Sequence, residues 1–209
     1  PRWIVPRRWT RGVLYGIVAY GMWGLFPLYW PLLEPASASE ILAHRMTWSL
    51  LAVLAILTLA RTRWPAFWAT LRDRRARLLL STAAVILAVN WLTYIWGVNH
   101  GHVVETSLGY FINPLITVAL GVFVLGERLR PVQWAALGLG AVATLVLTGA
   151  YGRLPWIALV LAGTFASYGL IKKTAAVPAV ESFGVETAVL FLPALGYLIF
   201  LQASGDAAF

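Results

Sequence analysis

The chain has 209 residues, of which 60% are hydrophobic and 11% are charged, and its mean hydropathy is +0.78. Soluble domains are only about half apolar, so this composition excludes an ordinary soluble domain and indicates a membrane protein. Cysteine is absent, which excludes disulfides and thiolate chemistry.

Seven stretches between charged residues are long enough to cross a bilayer, which takes about 20 mainly apolar residues. These predicted spans cover residues 12–33, 41–60, 78–99, 106–126, 131–152, 154–171 and 187–205. The first is too long, and too free of a small-residue cleavage site, to be a removable signal peptide. The sequence therefore predicts an all-α, polytopic transmembrane helical bundle.

Lysine and arginine follow an alternating pattern along these spans. They precede span 1, fill the link between spans 2 and 3, and follow spans 4 and 6; of the 16, only Arg45 and Arg153 fall elsewhere. This is the positive-inside bias, and it places the N-terminal segment 1–11 in the cytoplasm. The net charge of +8 comes mainly from these cytoplasmic lysines and arginines, which orient the spans. We therefore expect no nucleic-acid partner.

The long link 61–77 is predicted to form an amphipathic helix. Its apolar residues recur at helical spacing against a face of arginines, and they are Trp64, Phe67, Trp68 and Leu71. We expect this face to lie on the inner leaflet, with docking to a partner as the alternative. Asp73 belongs to the wet face in this interpretation.

Spans 1 and 6 share a weak internal repeat. Trp23 matches Tyr168, and further on Glu40 matches Glu181. A unit of five spans re-enters the membrane with opposite orientation, as in inverted-repeat transporters. We therefore expect a first repeat over 12–152 and the start of a second over 153–209. Two repeats would need ten helices and about seven are present, so the chain is expected to stop inside the second repeat.

Span 4 carries four polar residues on one helix face, because they recur at spacings of four, three and four. They are Thr106, Tyr110, Asn113 and Thr117. Pro114 deprives the carbonyl of Tyr110 of its helical donor. We expect this face to line a cavity and Pro114 to act as a hinge. The alternative is a kink satisfied by neighbouring serine or threonine side chains.

Span 3 adds Asn90, Trp91 and Tyr94 as cavity residues, with Asn90 and Tyr94 one turn apart. An interhelical hydrogen bond would explain Asn90 equally well. In span 1, Tyr20 and Trp23 are candidate cavity walls.

The remaining hinge candidate is Pro27, also in span 1. Together with Pro114, it would let half-helices tilt between inward and outward states.

Four charged or titratable residues are expected near the outer mouth as gate or recognition groups, and they are Glu40, His44, Arg45 and Glu105. Arg45 could attract a carboxylate or phosphate. The alternatives are an internal pair of Glu40 with His44 or Arg45, and favourable electrostatics of an acid at a helix N-terminus.

Glu105 and Glu186 are candidate proton carriers, which would allow proton coupling. His100 and His102 have no carboxylate cluster beside them, so no metal site is expected.

The sequence lacks the patterns of an enzyme. Both aspartates, Asp73 and Asp206, lie outside the spans, and the common hydrolase and phosphate-loop motifs are absent. We expect neither catalysis nor a cofactor.

Three segments together resemble a known family: "ILAHRMTWSLL", "NWLTYIWGVN" and "ETSLGYFINPLITVALGVFVLGERL". They are similar to the RarD branch of the EamA-type permeases in the drug/metabolite transporter superfamily, and the resemblance runs from Arg11 onward. It implies ten helices in two inverted five-helix repeats, cytoplasmic termini and a central cavity. It also implies transport of small metabolites by alternating access.

On these grounds we expect a permease of the bacterial inner membrane that exports a small amphipathic metabolite or drug-like solute, with the solute and the lipid bilayer as its partners. The alternative is a non-transporting membrane scaffold whose polar residues only bond helices together.

Overall fold

A computed structural model describes residues 7–59, 63–152 and 154–209, without the side chains of 7–11 and 151. Part of the predicted N-terminal segment, the first residues of the link and Arg153 lie outside this description. The described residues form α-helices and one 3-10 turn, with no strand among them, which confirms the all-α class. The helices are α1 Arg7–Tyr29, α2 Ala38–Leu59, α3 Trp64–Arg72, α4 Arg74–Asn99, α5 Val103–Leu125, α6 Pro131–Tyr151, α7 Trp156–Ala175 and α8 Ala179–Ser204; the 3-10 turn Trp30–Leu33 follows α1.

Six of these helices are long and apolar enough to cross a membrane, namely α1 with its 3-10 turn, α2, α4, α5, α6 and α8. They correspond to six of the seven predicted spans, and the protein is a multi-pass membrane protein. The remaining predicted span lies in α7, which has 20 residues but carries Lys172 and Lys173 in its last turn. Those two charges lower its apolar character, and α7 is not among the six.

The described residues fall into two compact units, one up to Glu34 and one from Pro35 to Phe209. The first contains α1 and the 3-10 turn. In the second, α7 packs against α4 and α5, while α8 packs against α2 and α4. The candidate site discussed below lies in this second unit.

Small residues allow the close contact between α5 and α7. Ala158 and Ala162 of α7 are fully buried and form one cluster with Leu108 and Ile112 of α5. Without a hydrophobic force between helices in lipid, such close packing is a main source of association.

In the link between α2 and α4, the protein covers part of the predicted apolar face. Phe67 is 5% exposed and packs with Val53, Leu57, Leu80 and Val185 in a core cluster. The apolar face of α3 is therefore directed mainly into the protein rather than into lipid, although Trp68 remains 47% exposed. An amphipathic pattern defines an apolar face without defining what covers it, and other helices of the protein cover Phe67.

Asp73 is exposed, as expected of a residue on the wet face, and it has a structural role as well. Its Oδ1 accepts hydrogen bonds from the backbone N–H groups of Arg75 at 2.8 Å and Ala76 at 3.3 Å. It is therefore the N-cap of α4 and separates α3 from α4.

Candidate functional site

A small pocket of about 10 Å³, close to the space that one water needs, lies between α4, α5 and α7. Its polar lining consists of Asn90 from α4 and of Tyr110 and Asn113 from α5, and its other walls are Gly109, Leu161 and Phe165. Three predicted cavity residues thus line one pocket. Helical spacing put Tyr110 and Asn113 on one face, and the packing of α4 and α5 against α7 adds Asn90.

Asn90 also joins two helices. Its Nδ2 donates to the carbonyl oxygen of Leu161 at 3.0 Å and to Oγ1 of Thr164 at 2.8 Å. Both amide hydrogens are therefore used by α7. The interhelical bond offered as an alternative for Asn90 is present, and the same side chain lines the pocket. Thr164 went unnoticed in the sequence because a lone threonine in an apolar span gives no signal.

An aromatic row leads away from this pocket. The rings of Tyr110 and Tyr94 are 6.1 Å apart, and those of Tyr94 and Trp91 are 5.8 Å apart, both edge to face. Tyr94 is 4% exposed whereas Tyr110 is 52% exposed. Edge-to-face contacts of this kind are favourable and fix the orientations of the rings.

Arg45 of α2 lies at the far end of the row. Its guanidinium carbon is 3.3 Å from the centre of the Trp91 ring, which is a cation–π contact. A second small pocket, of about 20 Å³, is lined by Arg45 and Trp91 together with Glu186 and mainly apolar residues of α2, α4 and α8. Arg45, Trp91, Tyr94 and Tyr110 are thus connected by direct contacts across α2, α4 and α5.

The other predicted gate residues lie apart from this row. The Glu40 carboxylate accepts hydrogen bonds from the backbone N–H groups of Ala208 at 2.9 Å and Phe209 at 3.4 Å. The His44 ring contacts the Phe209 ring edge to face at 5.6 Å. Among the described residues, no ion pair joins Glu40 to His44 or Arg45. The internal ion pair that was the alternative for these three residues is therefore not formed.

Glu105 binds the start of another helix. It is 1% exposed, and its Oε1 accepts a hydrogen bond from the backbone N–H of Ile157 at 2.8 Å. Ile157 lies in the first turn of α7, where backbone N–H groups lack helical partners. The carboxylate therefore stabilises the N-terminus of α7, and it also lies in the first turn of its own helix, α5.

The two hinge candidates lie inside continuous helices. Pro114 is within α5 and Pro27 is near the end of α1. Oγ1 of Thr117 donates to Oδ1 of Asn113 at 3.3 Å, one turn along α5, which matches the predicted polar face. Tyr20 and Trp23, the candidate walls, belong to the first unit and contact one another edge to face at 5.4 Å.

A buried polar cluster on α7 and α8 was only partly anticipated. Glu186 is 2% exposed, and its carboxylate accepts from Lys172 Nζ at 2.5 Å and from the Tyr168 hydroxyl at 3.1 Å. Lys172 also donates to Ser182. The sequence identified Glu186 as an acid at membrane depth, but Lys172 counted only as a cytoplasmic charge.

Two further ion pairs connect helix ends that the charge pattern places on one side. Arg63 contacts Glu181 at 3.1 Å, and Lys173 contacts Glu127. The first joins the link before α3 to the start of α8, and the second joins the loop after α5 to the end of α7.

No group of three metal-ligating side chains occurs in the part of the chain that the structure describes. His100 and His102 instead stack on the Trp96 ring at 4.4 and 5.7 Å.

Comparison with known proteins gives a consistent family. The sequence profile described as the EamA-like transporter family matches residues 10–149. Protein RarD of Streptomyces exfoliatus is 60% identical over 198 residues, covering 95% of this chain and 62% of that protein. The uncharacterized transporter YojE of Bacillus subtilis is 42% identical, covering 91% of this chain and 64% of YojE.

A third relative carries a more specific name. The chloramphenicol-sensitive protein RarD of Pseudomonas aeruginosa is 34% identical, covering 94% of this chain and 67% of the relative. The chain thus spans a little under two thirds of the length of the first two of these relatives. No solved structure matches the chain significantly.

The profile covers more than half of the chain, and the relatives are 34% to 60% identical to it over an aligned region that includes nearly the whole chain. The chain therefore belongs to the EamA-like transporter family and, within it, to the RarD type.

Proposed function

We propose that this chain forms the substrate-binding part of a permease that exports a small amphipathic solute across the bacterial inner membrane by alternating access. The observation that carries the proposal is the pocket lined by Asn90, Tyr110 and Asn113, because polar side chains at membrane depth tend to face a cavity or one another. Membership of a transporter family supports the same function.

The aromatic row gives this pocket a preference for solutes with an apolar or planar part. Trp91, Tyr94 and Tyr110 offer large apolar ring surfaces with polar edges. Movement of the solute requires helices that can change their arrangement, and Pro114 weakens the hydrogen-bond ladder of α5 beside the pocket. We assign Pro114, and secondarily Pro27, as hinges of this movement.

We also propose that the N-terminus is cytoplasmic and that residues 12–152 and 153–209 belong to successive inverted repeats. The ion pairs Arg63 to Glu181 and Lys173 to Glu127 support the topology, because they join helix ends that the positive-inside pattern places on the cytoplasmic side. Reporter fusions after residues 99 and 175 should then report opposite sides of the membrane.

Proton coupling is a further part of the proposal. Glu105 and Glu186 are 1% and 2% exposed, and a buried carboxylate can exchange a proton during a transport cycle. Export that persists unchanged after a protonophore has collapsed the proton gradient would contradict this part alone.

The competing function is a membrane scaffold, and the bonds of Asn90 to Leu161 and Thr164 favour it. Solvent access to residue 113 separates the two functions. Asn113→Cys in this Cys-free chain should react with a small, membrane-impermeant thiol reagent if the pocket is wet. Ala162→Cys, at a fully buried position of α7, is the matched control and should stay unreactive.

Transport is then tested directly. Asn113→Ala and Tyr94→Ala should reduce solute uptake into everted vesicles while the amount of inserted protein stays the same. Unchanged uptake in both variants, together with an unreactive Asn113→Cys, would refute the cavity and leave the scaffold.

A further inference from the structure

A group of exposed arginines lies where α3 ends and α4 begins, and we call residues 72–77 the arginine corner. Its four arginines are Arg72, Arg74, Arg75 and Arg77. In the part of the chain that the structure describes, no ion pair uses any of them, whereas Arg63, Lys172 and Lys173 each contact an acid. The one acid of the corner is Asp73, so three positive charges remain in excess.

The backbone of the corner is fixed by contacts to the rest of the protein. Phe67 packs α3 into the core cluster, and Asp73 caps α4 through its Oδ1. Nη1 of Arg77 donates to the carbonyl oxygen of Leu71 at 3.0 Å, so this guanidinium lies against the last turn of α3. The arginines therefore extend from two anchored helix ends, and an anion that binds them does not have to order a flexible segment first.

The length of α4 places the corner at the level of the lipid headgroups. This helix has 26 residues and is a candidate membrane span. It is about 39 Å long, whereas the hydrocarbon core of a bilayer is about 30 Å thick. Part of α4 must therefore lie in the headgroup layer, and its arginine-bearing end does so because charged side chains are costly in hydrocarbon.

An exposed tryptophan lies beside these cations. Trp68 is 47% exposed and precedes Arg72 by one helical turn, so the two side chains share a face of α3. Its ring stacks on that of Trp64 at 6.2 Å. Tryptophan favours the headgroup level of a membrane because its ring is apolar and its N–H is polar. An indole next to arginines matches a lipid, which has an anionic and an apolar part, better than a soluble anion.

We propose that the arginine corner, with Trp68 at its edge, binds the headgroup of an anionic phospholipid. Charge complementarity carries the inference, because clusters of four or more basic residues next to a membrane span bind anionic lipids. The lipid then contacts α3 through its charged end and Trp68, while Phe67 of the apolar face stays inside the protein. This surface is separate from the proposed solute pocket, since Asn90 lies about 24 Å further along α4 than Arg74.

Native mass spectrometry of the purified protein in a neutral detergent measures this binding without requiring transport. The probe is palmitoyl-oleoyl phosphatidylglycerol, and phosphatidylcholine with the same acyl chains is the matched ligand control. We expect phosphatidylglycerol to bind about tenfold or more tightly. Each basic residue near an anionic membrane surface contributes about fivefold to the affinity, and a zwitterionic headgroup does not gain from it.

Variants locate the binding at the corner. Arg72→Gln combined with Arg75→Gln should lower the affinity for phosphatidylglycerol by about tenfold or more and leave that for phosphatidylcholine unchanged. Arg72→Lys combined with Arg75→Lys keeps both charges and should retain most of the affinity. Arg128→Gln combined with Arg130→Gln is the matched control, because it removes two exposed arginines from outside the corner and should have little effect.

A folding defect would not leave the proposal undecided. If the double glutamine variant fails to fold, Arg75→Gln alone should still lower the affinity by about fivefold, and the comparison of the two lipids uses the wild-type protein.

Several outcomes would overturn the proposal. Equal affinity for the two lipids would remove the recognition of charge, and an unchanged affinity in the folded glutamine variant would remove the corner. An equal loss in the control at Arg128 and Arg130 would mean that total charge, rather than this surface, attracts the lipid. A loss in the lysine variant as large as in the glutamine variant would indicate a structural role of the arginines.

Competition distinguishes the lipid from other anions. Displacement of phosphatidylglycerol by an equal concentration of glycerol 3-phosphate would assign the corner to soluble phosphate compounds. Displacement by polyglutamate at the same concentration would assign it to an acidic protein segment. Either result would overturn the lipid as the ligand, and neither bears on the permease function, which the solute-uptake experiment tests separately.

Discussion

The close contact between α5 and α7 allows a quantitative prediction for Gly109→Ala. A Cβ at position 109 would lie 3.0 Å from the Cβ of Leu161, 3.1 Å from the carbonyl oxygen of Ala158 and 3.3 Å from its Cα. These atoms belong to the α7 backbone or are attached directly to it, so no flexible side chain can move aside. The two helices would have to separate by a few tenths of an ångström or more.

The expected loss follows from two opposing effects. Overpacking a well-packed contact costs about 1–3 kcal/mol, whereas alanine has an advantage of up to about 1 kcal/mol over glycine in a helix. Gly163→Ala in α7 is the matched control, because a Cβ there meets nothing within 4 Å and only the helix advantage applies. The difference between the two variants is then about 2 kcal/mol, which corresponds to about 4–8 °C in Tm for a chain of this size.

Thermal unfolding of the detergent-solubilised protein, followed by the fluorescence of its tryptophans, measures this difference. Gly109→Ala should melt below the wild type and Gly163→Ala at or above it. If the two variants melt at the same temperature, α5 and α7 do not approach as closely as described, and the position of the pocket between them is wrong as well.

Three further changes test the contacts around the site, each measured as the free energy of unfolding by sodium dodecyl sulfate in bicelles. Asn90→Ala should cost about 1 kcal/mol, because it removes two interhelical hydrogen bonds of about 0.6 kcal/mol each; an unchanged value would mean that α7 does not depend on them. Glu105→Leu should cost about 1–3 kcal/mol by leaving the buried N–H of Ile157 without its acceptor, whereas an isosteric Glu105→Gln should cost less because it keeps a carbonyl oxygen. Phe67→Ala should cost about 3–5 kcal/mol as a core cavity, whereas Trp68→Ala on the exposed side should stay within about 0.5 kcal/mol; equal losses would return α3 to the lipid surface.

Properties that repeat along one helix were predictable from the sequence. The six spans follow from apolar length, and the shared face of Tyr110, Asn113 and Thr117 follows from helical spacing. The acidic residues at membrane depth, Glu105 and Glu186, stand out in the sequence because charge is rare there.

Contacts between distant parts of the chain were not predictable. Asn90 was singled out, but its partner Thr164 lies 74 residues away and looks like any threonine in an apolar span. Phe67 was assigned to the lipid-facing side because it belongs to the apolar face of an amphipathic segment, yet it enters the core. Asp73 was assigned to the wet face, and its role as the N-cap of α4 became visible only in the structure.

The sequence by itself determined that this chain is a bundle of membrane helices, because continuous apolar runs of about 20 residues cross hydrocarbon as helices and periodicity shows which of their faces are polar. Only the tertiary structure decided what each polar group meets: that Glu105 holds the start of α7, that Lys172 neutralises Glu186, and that Arg45 lies on Trp91 with one donor unused. The physical reason is that helix periodicity is a local property, whereas the pairing of helices depends on side-chain shapes and distances that no single segment contains.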